Sequence, residues 1–219
     1  MSFKSTLHFT ESVSKQVLGG IVADIPLEQL TQRRSGAIIY TLVNSGSDLE
    51  TIMFIGGVDT QHDEITDFGG QRDAQDRNSI VTGLRELCEE SLGVFGEITV
   101  NDVRRSYAVY SHDMMIMFIY MDLDTALVTS TFDELRTKKL ATIGVSRRNK
   151  STIEVKQLVA MSFDEFRSNI CDPNSKMYER VRVFLRRYIA GLLPSDHSND
   201  TTLDREFFLF RSALLYRTD

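Results

Sequence analysis

The chain has 219 residues, of which 42% are hydrophobic and 26% are charged, and its formal net charge at pH 7 is −6. This length is enough to bury a substantial core, and the composition is ordinary for a globular protein. The acidic balance excludes a nucleic-acid binder that works by bulk positive charge, but it is compatible with a local basic groove. The two cysteines, Cys88 and Cys171, exclude a disulfide framework, and Cys88 is predicted to be buried filler.

Three segments are expected along the chain. A central domain covers 35–194, an N-terminal extension covers 1–34 and packs on it, and a tail covers 195–219. The tail carries an apolar run near its end, so it is predicted to dock on the domain or to form a homodimer interface. No run of 18 apolar residues occurs and the first residues lack a secretory apolar segment, which predicts a cytoplasmic protein with no membrane segment.

The first half of the chain reads as strands. Short strands are predicted over 7–9 and 17–22, with a short helix or turn over 25–32. The segments 36–43 and 51–57 are rich in β-branched residues and flank a turn cluster, which predicts a hairpin. A polar loop over 58–66 then leads to a short strand over 66–70 that ends in two glycines.

A helix is predicted after this glycine pair, beginning between Asp76 and Ser79, and any residue in that interval could cap it. An apolar stripe at helical spacing indicates that it packs on a sheet, and the stripe consists of Ile80, Leu84, Leu87 and Ser91. Gly83 costs about 1 kcal/mol against alanine inside a helix, so it is expected to allow close approach of a neighbouring strand.

Three carboxylates lie at i, i+3 and i+4 on the same helix: Glu86, Glu89 and Glu90. This spacing puts them on one face, where like charges repel by a few tenths of a kcal/mol per pair. A hard divalent cation with oxygen ligands would compensate that repulsion. The structural alternative is a solvated acidic face.

The second half is predicted to hold strands over 103–110 and 114–123 around a turn at His112. An inserted helix or loop is expected over 125–140. A strand over 152–161 then leads into a short helix, and an amphipathic helix covers 178–193 before Pro194.

The segment from Gly70 to Gly93 resembles the Nudix box, in which glycine, five residues, Glu and seven residues precede Arg-Glu-aliphatic-x-Glu-Glu-x-Gly-aliphatic. Gly70 fits the first position, and the run from Arg85 to Glu90 fits the core without a gap. Asp76 stands where the pattern has Glu, eight residues instead of seven follow it, and Leu92 stands where the pattern has glycine. The Glu-Glu-Ser ending is also similar to the Nudix decapping proteins of large DNA viruses.

The resemblance implies an α+β fold, a Nudix-like α/β/α sandwich with a mixed central sheet whose loop and helix carry a metal site. It implies a hydrolase that uses Mg²⁺ or Mn²⁺ to cleave a diphosphate bond in a nucleoside diphosphate linked to another moiety, by water attack on phosphorus. Two alternatives stay open. One is mRNA decapping, with capped RNA in place of a nucleotide-type small molecule. The other is an inactive Nudix-like module that binds a nucleotide or a protein.

Residue roles follow from the same resemblance. Glu86 and Glu90 would be the principal metal ligands, and Glu89 would be a third ligand or the base that activates water. Arg85 would hold the glycine loop through hydrogen bonds. Glu154, ahead of the closing helix, is a candidate catalytic or metal-linked glutamate, with an exposed strand residue as the alternative.

The substrate side is predicted to involve the glycines Gly69 and Gly70 and the arginines Arg34 and Arg72. Gly70 either offers its carbonyl near the metal or supplies the positive φ of a tight turn. The arginines could grip a phosphate, since bidentate contacts favour this side chain. Asp76 is either a helix cap or a neighbour of the metal.

Histidines and further arginines are weaker candidates. His62 and His112 could act as bases, but surface loop positions are the favoured interpretation. The basic segment 147–150 and the helical arginines could follow an RNA backbone, and for the helical group a solvated face is favoured. That group consists of Arg180, Arg182, Arg186 and Arg187.

Overall fold

The computed structural model describes residues 16–44, 50–145, 153–192 and 201–215. Within these residues one mixed sheet lies between two layers of helices. The predicted α+β class with a mixed central sheet is therefore confirmed at this level, while the Nudix topology itself stays a prediction. The predicted strand over 7–9, the basic segment 147–150 and Pro194 lie outside the described residues.

The sheet of the described residues has eight strands. They are β1 (Leu18–Ile21), β2 (Arg34–Asn44), β3 (Glu50–Asp59), β4 (Ile65–Thr66), β5 (Phe68–Gln71), β6 (Tyr107–Tyr110), β7 (Met114–Tyr120) and β8 (Val155–Ser162). The sheet is built around β2, which pairs in parallel with β7 on one side and antiparallel with β3 and β5 on the other. The strand order is β1-β6-β7-β2-β3-β4, with β5 beside the first half of β2 and β8 beside β3.

Helices cover both faces of this sheet. They are α1 (Ser79–Glu90), α2 (Thr125–Val145), α3 (Phe163–Cys171), α4 (Glu179–Ile189) and α5 (Thr201–Leu215). The segment predicted as an inserted helix or loop is thus the long helix α2. Residues 103–106 form turns instead of the predicted strand, because Val103 enters the core from a turn whose carbonyl accepts the Ser106 N–H at 3.0 Å.

Two apolar clusters follow from the period-2 alternation of β2. Ile38 and Tyr40 point to the face covered by α3, α4 and α5, whereas Ala37 and Ile39 point to the face covered by α1 and α2. Each face of the sheet is therefore buried, which explains why the central strands read as nearly continuous apolar runs.

Both ends of the described chain pack on the sandwich. β1 extends the sheet through antiparallel pairing with β6. Phe210 of α5 packs edge-on against Phe118, and the Tyr40 hydroxyl donates a hydrogen bond to the Leu214 carbonyl at 3.0 Å. No helix in the described part of the chain combines the length and the apolar character needed to cross a bilayer.

Candidate functional site

Helix α1 is fixed on the sheet by its cap and by a glycine. The Asn78 side chain accepts a hydrogen bond from the Val81 N–H at 3.0 Å, so Asn78 is the cap within the predicted interval. A Cβ on Gly83 would lie 2.7 Å from the Met117 Cε atom, which confirms the expected close approach to a strand. Cys88 is exposed, so its predicted burial was wrong: it follows Leu87 on the side of the helix that faces away from the sheet.

Arg85 joins the loop before α1 to the middle of the helix. Its Nη2 donates to the Gln71 carbonyl at 3.0 Å and to the Asp76 carboxylate at 3.1 Å. The same guanidinium forms ion pairs with Glu86 at 2.8 Å and Glu89 at 3.1 Å. These contacts hold the end of β5, which we call the glycine strand because it carries Gly69 and Gly70, against α1.

Asp76 is the buried partner of Arg85. Its carboxylate also accepts the Asp73 N–H at 3.0 Å, and its side chain is only 5% exposed. The hydrogen bond from Arg85 holds the pKa of Asp76 below its usual range. Asp76 is therefore not the helix cap, which is Asn78, and its carboxylate forms a buried ion pair with Arg85. Its alternative role as a neighbour of the metal stays a prediction.

Glu86 and Glu90 meet strand β5. Glu90 accepts a hydrogen bond from the Gly69 N–H at 2.8 Å, and a Cβ on Gly70 would collide with the Glu86 carboxylate. Position 70 therefore needs glycine for close approach. Neither Gly69 nor Gly70 has a positive φ among the described residues, so the alternative of a left-handed turn at Gly70 is wrong.

Burial and like charges act on both of these carboxyls. Burial, with added repulsion from Asp67, Glu86 and Glu154, raises the pKa of Glu90 to about 9. Burial also raises the pKa of Glu86, and Arg85 opposes that shift. The helix thus presents two half-buried, mutually repelling acids beside a glycine strand, which is a donor set of hard oxygens that suits a divalent cation.

Glu89 differs from its two neighbours. Its side chain is 60% exposed and its carboxylate is held by Arg85. Among the described residues, the three helix glutamates do not bring their oxygens within 4.8 Å of one another. The structure therefore groups Glu86 with Glu90 and leaves Glu89 at the solvent edge.

The two arginines predicted to grip a phosphate are both engaged. Arg34 is buried and makes a bidentate ion pair with Asp67 at 2.6 and 2.8 Å, and it donates to the Gly69 carbonyl at 3.1 Å. Arg72 donates to the backbone carbonyls of Asp76 and Arg77 at 3.2 and 3.1 Å. Arg34 lines the cavity described next, whereas Arg72 lines a different one.

A cavity of about 300 Å³ opens beside Glu90. We call it the acidic cavity, because four carboxylates line it against the single cation of Arg34. Its lining consists of Arg34, Asp59, Thr60, Gln61, His62, Glu64, Thr66, Gly69, Glu90, Glu154, Val155 and Tyr178. Glu154 directly precedes β8, is exposed, and accepts the Thr60 N–H through its backbone carbonyl at 2.8 Å.

A second group of ligand types lies in the same cavity. One atom each from Asp59, His62 and Glu64 lies within 4.8 Å of the others, so this group could hold a metal ion. The His62 side chain is 69% exposed, as expected of a loop residue. Asp59 and Glu64 were missed in the sequence, and the only signal for them was the polar loop that contains His62.

The helical arginines divide into two sets. Arg182 is buried, at 7% exposure, so its predicted place on the polar face was wrong. Arg180, Arg186 and Arg187 are exposed. His112 is also exposed, at the turn between β6 and β7, where its Nδ1 lies 3.2 Å from the Asp113 carboxylate.

Fold and site together define an α/β/α sandwich in which an Arg-Glu helix and a glycine strand border an acidic cavity. No model of a known protein family matches the chain, and the search of curated proteins gives no match.

Proposed function

We propose that this chain is a divalent-metal-dependent hydrolase of the Nudix type that cleaves a diphosphate bond in a nucleoside diphosphate linked to another moiety. One observation carries the proposal. Glu86 and Glu90, two half-buried carboxyls, face the backbone of Gly69 and Gly70, where a Cβ would displace the Glu86 carboxylate. Such an arrangement is costly for a structural role and suits a cation bound to phosphate oxygens.

The end of α1 adds support. Leu92 has φ of 57°, a left-handed conformation that is uncommon for residues other than glycine. The Nudix pattern has glycine at this position. The backbone at Leu92 therefore has the conformation that glycine would adopt most easily, in the position where helices commonly end with a left-handed residue.

Glu86 and Glu90 are the proposed ligands of Mg²⁺ or Mn²⁺, which when bound neutralises phosphate oxygens and acidifies a coordinated water. Arg85 positions Glu86 and the strand end through its ion pair and its bond to the Gln71 carbonyl. Glu154 is the preferred base, since it lines the acidic cavity with Glu90. Glu89 is less favoured because it is exposed and bound to Arg85.

The proposed reaction is tested by hydrolysis with Mg²⁺ and with Mn²⁺ on a substrate panel. The panel contains ADP-ribose, NADH, diadenosine polyphosphates, nucleoside triphosphates and cap-labelled RNA. Each assay is repeated with Glu86→Gln and Glu90→Gln. Glu97→Gln is the matched control, because Glu97 is an exposed glutamate in the loop after α1 and does not line the acidic cavity.

Metal-dependent turnover that is lost in both helix variants and kept in Glu97→Gln is the expected result. Release of a methylated nucleoside diphosphate from RNA alone would favour the decapping alternative over the small molecules. Manganese binding by calorimetry without turnover of any panel member would favour the inactive binding module. Turnover that survives Glu90→Gln would refute the assigned site.

A further inference from the structure

The acidic cavity restricts where a substrate can carry more negative charge. Asp59, Glu64, Glu90 and Glu154 line it, and its one cation, Arg34, is already paired with Asp67. A bound cation would offset the charge of a scissile diphosphate, but a further phosphate in the same cavity would face carboxylates at close range. Any additional anionic group of the substrate must therefore lie elsewhere.

Tyr178 joins this cavity to a second one. It caps the start of α4, its N–H donates to the Ile65 carbonyl at 2.8 Å, and its side chain is half-buried. The same residue lines a second cavity of about 430 Å³, which we call the arginine groove. The groove is lined by Ser111, Asp113, Met114, Tyr178, Glu179, Arg180, Val183, Phe184 and Arg187.

Two exposed arginines line the groove. Arg180 and Arg187 are seven residues apart on α4, so they share a face and are separated by about 10 Å along the helix axis. Within the part of the chain that the structure describes, neither side chain makes an ion pair. By contrast, Arg72 and Arg85 are already engaged in hydrogen bonds that hold the loop before α1.

Two acids in the groove offset the charge of these arginines without forming ion pairs with them. Asp113 lies beside His112, and Glu179 is in the first turn of α4, where a carboxylate interacts favourably with the helix dipole. The groove is therefore close to neutral overall, with two guanidinium groups that are not paired with either acid. A phosphate could bind to them without displacing an existing ion pair.

We propose that the substrate extends from the acidic cavity past Tyr178 into the arginine groove, where Arg180 and Arg187 bind a phosphate group other than the scissile diphosphate. This inference rests on the proposed hydrolase function and narrows its substrate class. The preferred substrate carries at least one phosphate beyond the bond that is cleaved. That phosphate comes either from a phosphorylated dinucleotide or from the first phosphodiesters of an RNA chain.

Two substrate pairs that differ only in added phosphate test the inference. NADPH differs from NADH by one phosphate, and a short capped RNA differs from the cap dinucleotide by its phosphodiester chain. KM and kcat are measured for wild type and for the double variant Arg180→Gln, Arg187→Gln. Arg186→Gln is the matched control, since Arg186 is exposed on the same helix, does not line the groove and lies near Cys171.

The expected result is that KM for the phosphate-bearing member of one pair rises about 10-fold in the double variant, as for two exposed charge contacts. KM for its partner should stay within about 2-fold, and Arg186→Gln should change neither. The pair that responds identifies the source of the phosphate. An equal effect on both members of each pair, or no effect beyond that of the control, would overturn the inference.

Failure of the hydrolase proposal is distinguishable from failure of the groove. If wild type hydrolyses no member, the hydrolase proposal fails, and fluorescence anisotropy then measures binding of a labelled capped RNA and of labelled NADPH directly. Binding weakened only in the double variant, with a shallower dependence on salt, would support the groove. Equal binding in all three proteins, or no binding by wild type, would refute it.

Discussion

Replacing Glu90 with glutamine should stabilise the metal-free protein while removing a metal ligand. Glu90 is half-buried, and burial together with Asp67 and Glu86 raises its pKa from 4.5 to about 9. Glutamine keeps an oxygen that can accept the Gly69 N–H but carries no charge to bury. The ionisation penalty disappears, and the hydrogen bond is retained.

Proton linkage sets the direction in which stability changes with pH. Because the folded pKa is raised, the contribution of Glu90 to stability is fully present below its unfolded pKa of 4.5 and is lost as pH rises towards 9. At pH 7 the carboxyl is protonated in the folded protein and ionised in the unfolded one. This difference lowers the free energy of unfolding by at most about 3 kcal/mol. Partial exposure of the side chain reduces the expected gain for Glu90→Gln to about 2 kcal/mol.

Urea unfolding in EDTA at pH 4 and at pH 7 measures this effect. The midpoint for Glu90→Gln should exceed that of wild type by about 1 M at pH 7, with an unchanged slope, and should match it at pH 4. Addition of Mg²⁺ or Mn²⁺ should then raise the midpoint of wild type but not that of Glu90→Gln, because the carboxylate binds the ion better than the amide does. Glu97→Gln should behave as wild type throughout.

Two results would refute this reasoning. Destabilisation by Glu90→Gln at pH 7 in EDTA would mean that the carboxylate is ionised and satisfied by its surroundings. An equal shift at pH 4 and pH 7 would mean that the effect arises from packing and not from ionisation.

Three further predictions concern positions around the helix. Gly70→Ala should lower metal-dependent activity at least 10-fold, while its melting temperature stays within a few degrees of wild type, because the new Cβ displaces only the flexible end of Glu86. Turnover equal to that of wild type would contradict this prediction. Arg85→Ala should lower the free energy of unfolding by about 2 kcal/mol at pH 7, because it leaves Asp76 buried without its cation. This loss should shrink as pH falls below about 4, since an acid whose pKa is lowered in the folded state contributes stability above its unfolded pKa and loses that contribution on protonation. Urea unfolding at pH 7 and below pH 4 measures the effect, and a loss independent of pH would argue against the ion pair. Leu92→Gly should be about 1 kcal/mol more stable than Leu92→Ala in thermal melts, because both variants lose the leucine side chain and only alanine retains the cost of positive φ. Equal stability of the two variants would contradict the left-handed conformation at residue 92.

Much of the fold could be predicted from local pattern. The hairpin of β2 and β3 and the core strand β7 are long apolar runs between turn signals, and such runs determine strands with little help from tertiary contacts. The segment after Tyr120 was ambiguous because α2 has no marked apolar face and exposes Leu127 and Leu140. Among the side chains of α2 that the structure describes, only Phe132 is fully buried, and one buried residue gives no periodic pattern.

The site residues on helix α1 were predicted from the sequence, whereas those contributed by β3 and the loop after it were missed. Helical spacing was enough to place Glu86 near Glu90, because that relation is local. Asp59 ends β3 and Glu64 lies in the loop between β3 and β4, and they reach the cavity because β3 and β5 pair with the same edge of β2. No spacing rule connects them to α1, so tertiary structure alone supplies this half of the site.

The irregular spacing of the box has a physical explanation in the loop before α1. Arg72 donates to two loop carbonyls, and Asp76 turns inward to pair with Arg85, so the additional residue is absorbed between Asp76 and the helix. Asn78 then sets the start of the helix independently of loop length. Because the cap fixes the rotation of α1, the two carboxylates that face β5 keep their position although the loop has changed. The carboxylate face can therefore tolerate insertions on its N-terminal side, whereas a one-residue insertion inside α1 would turn it away from the glycines by about 100°.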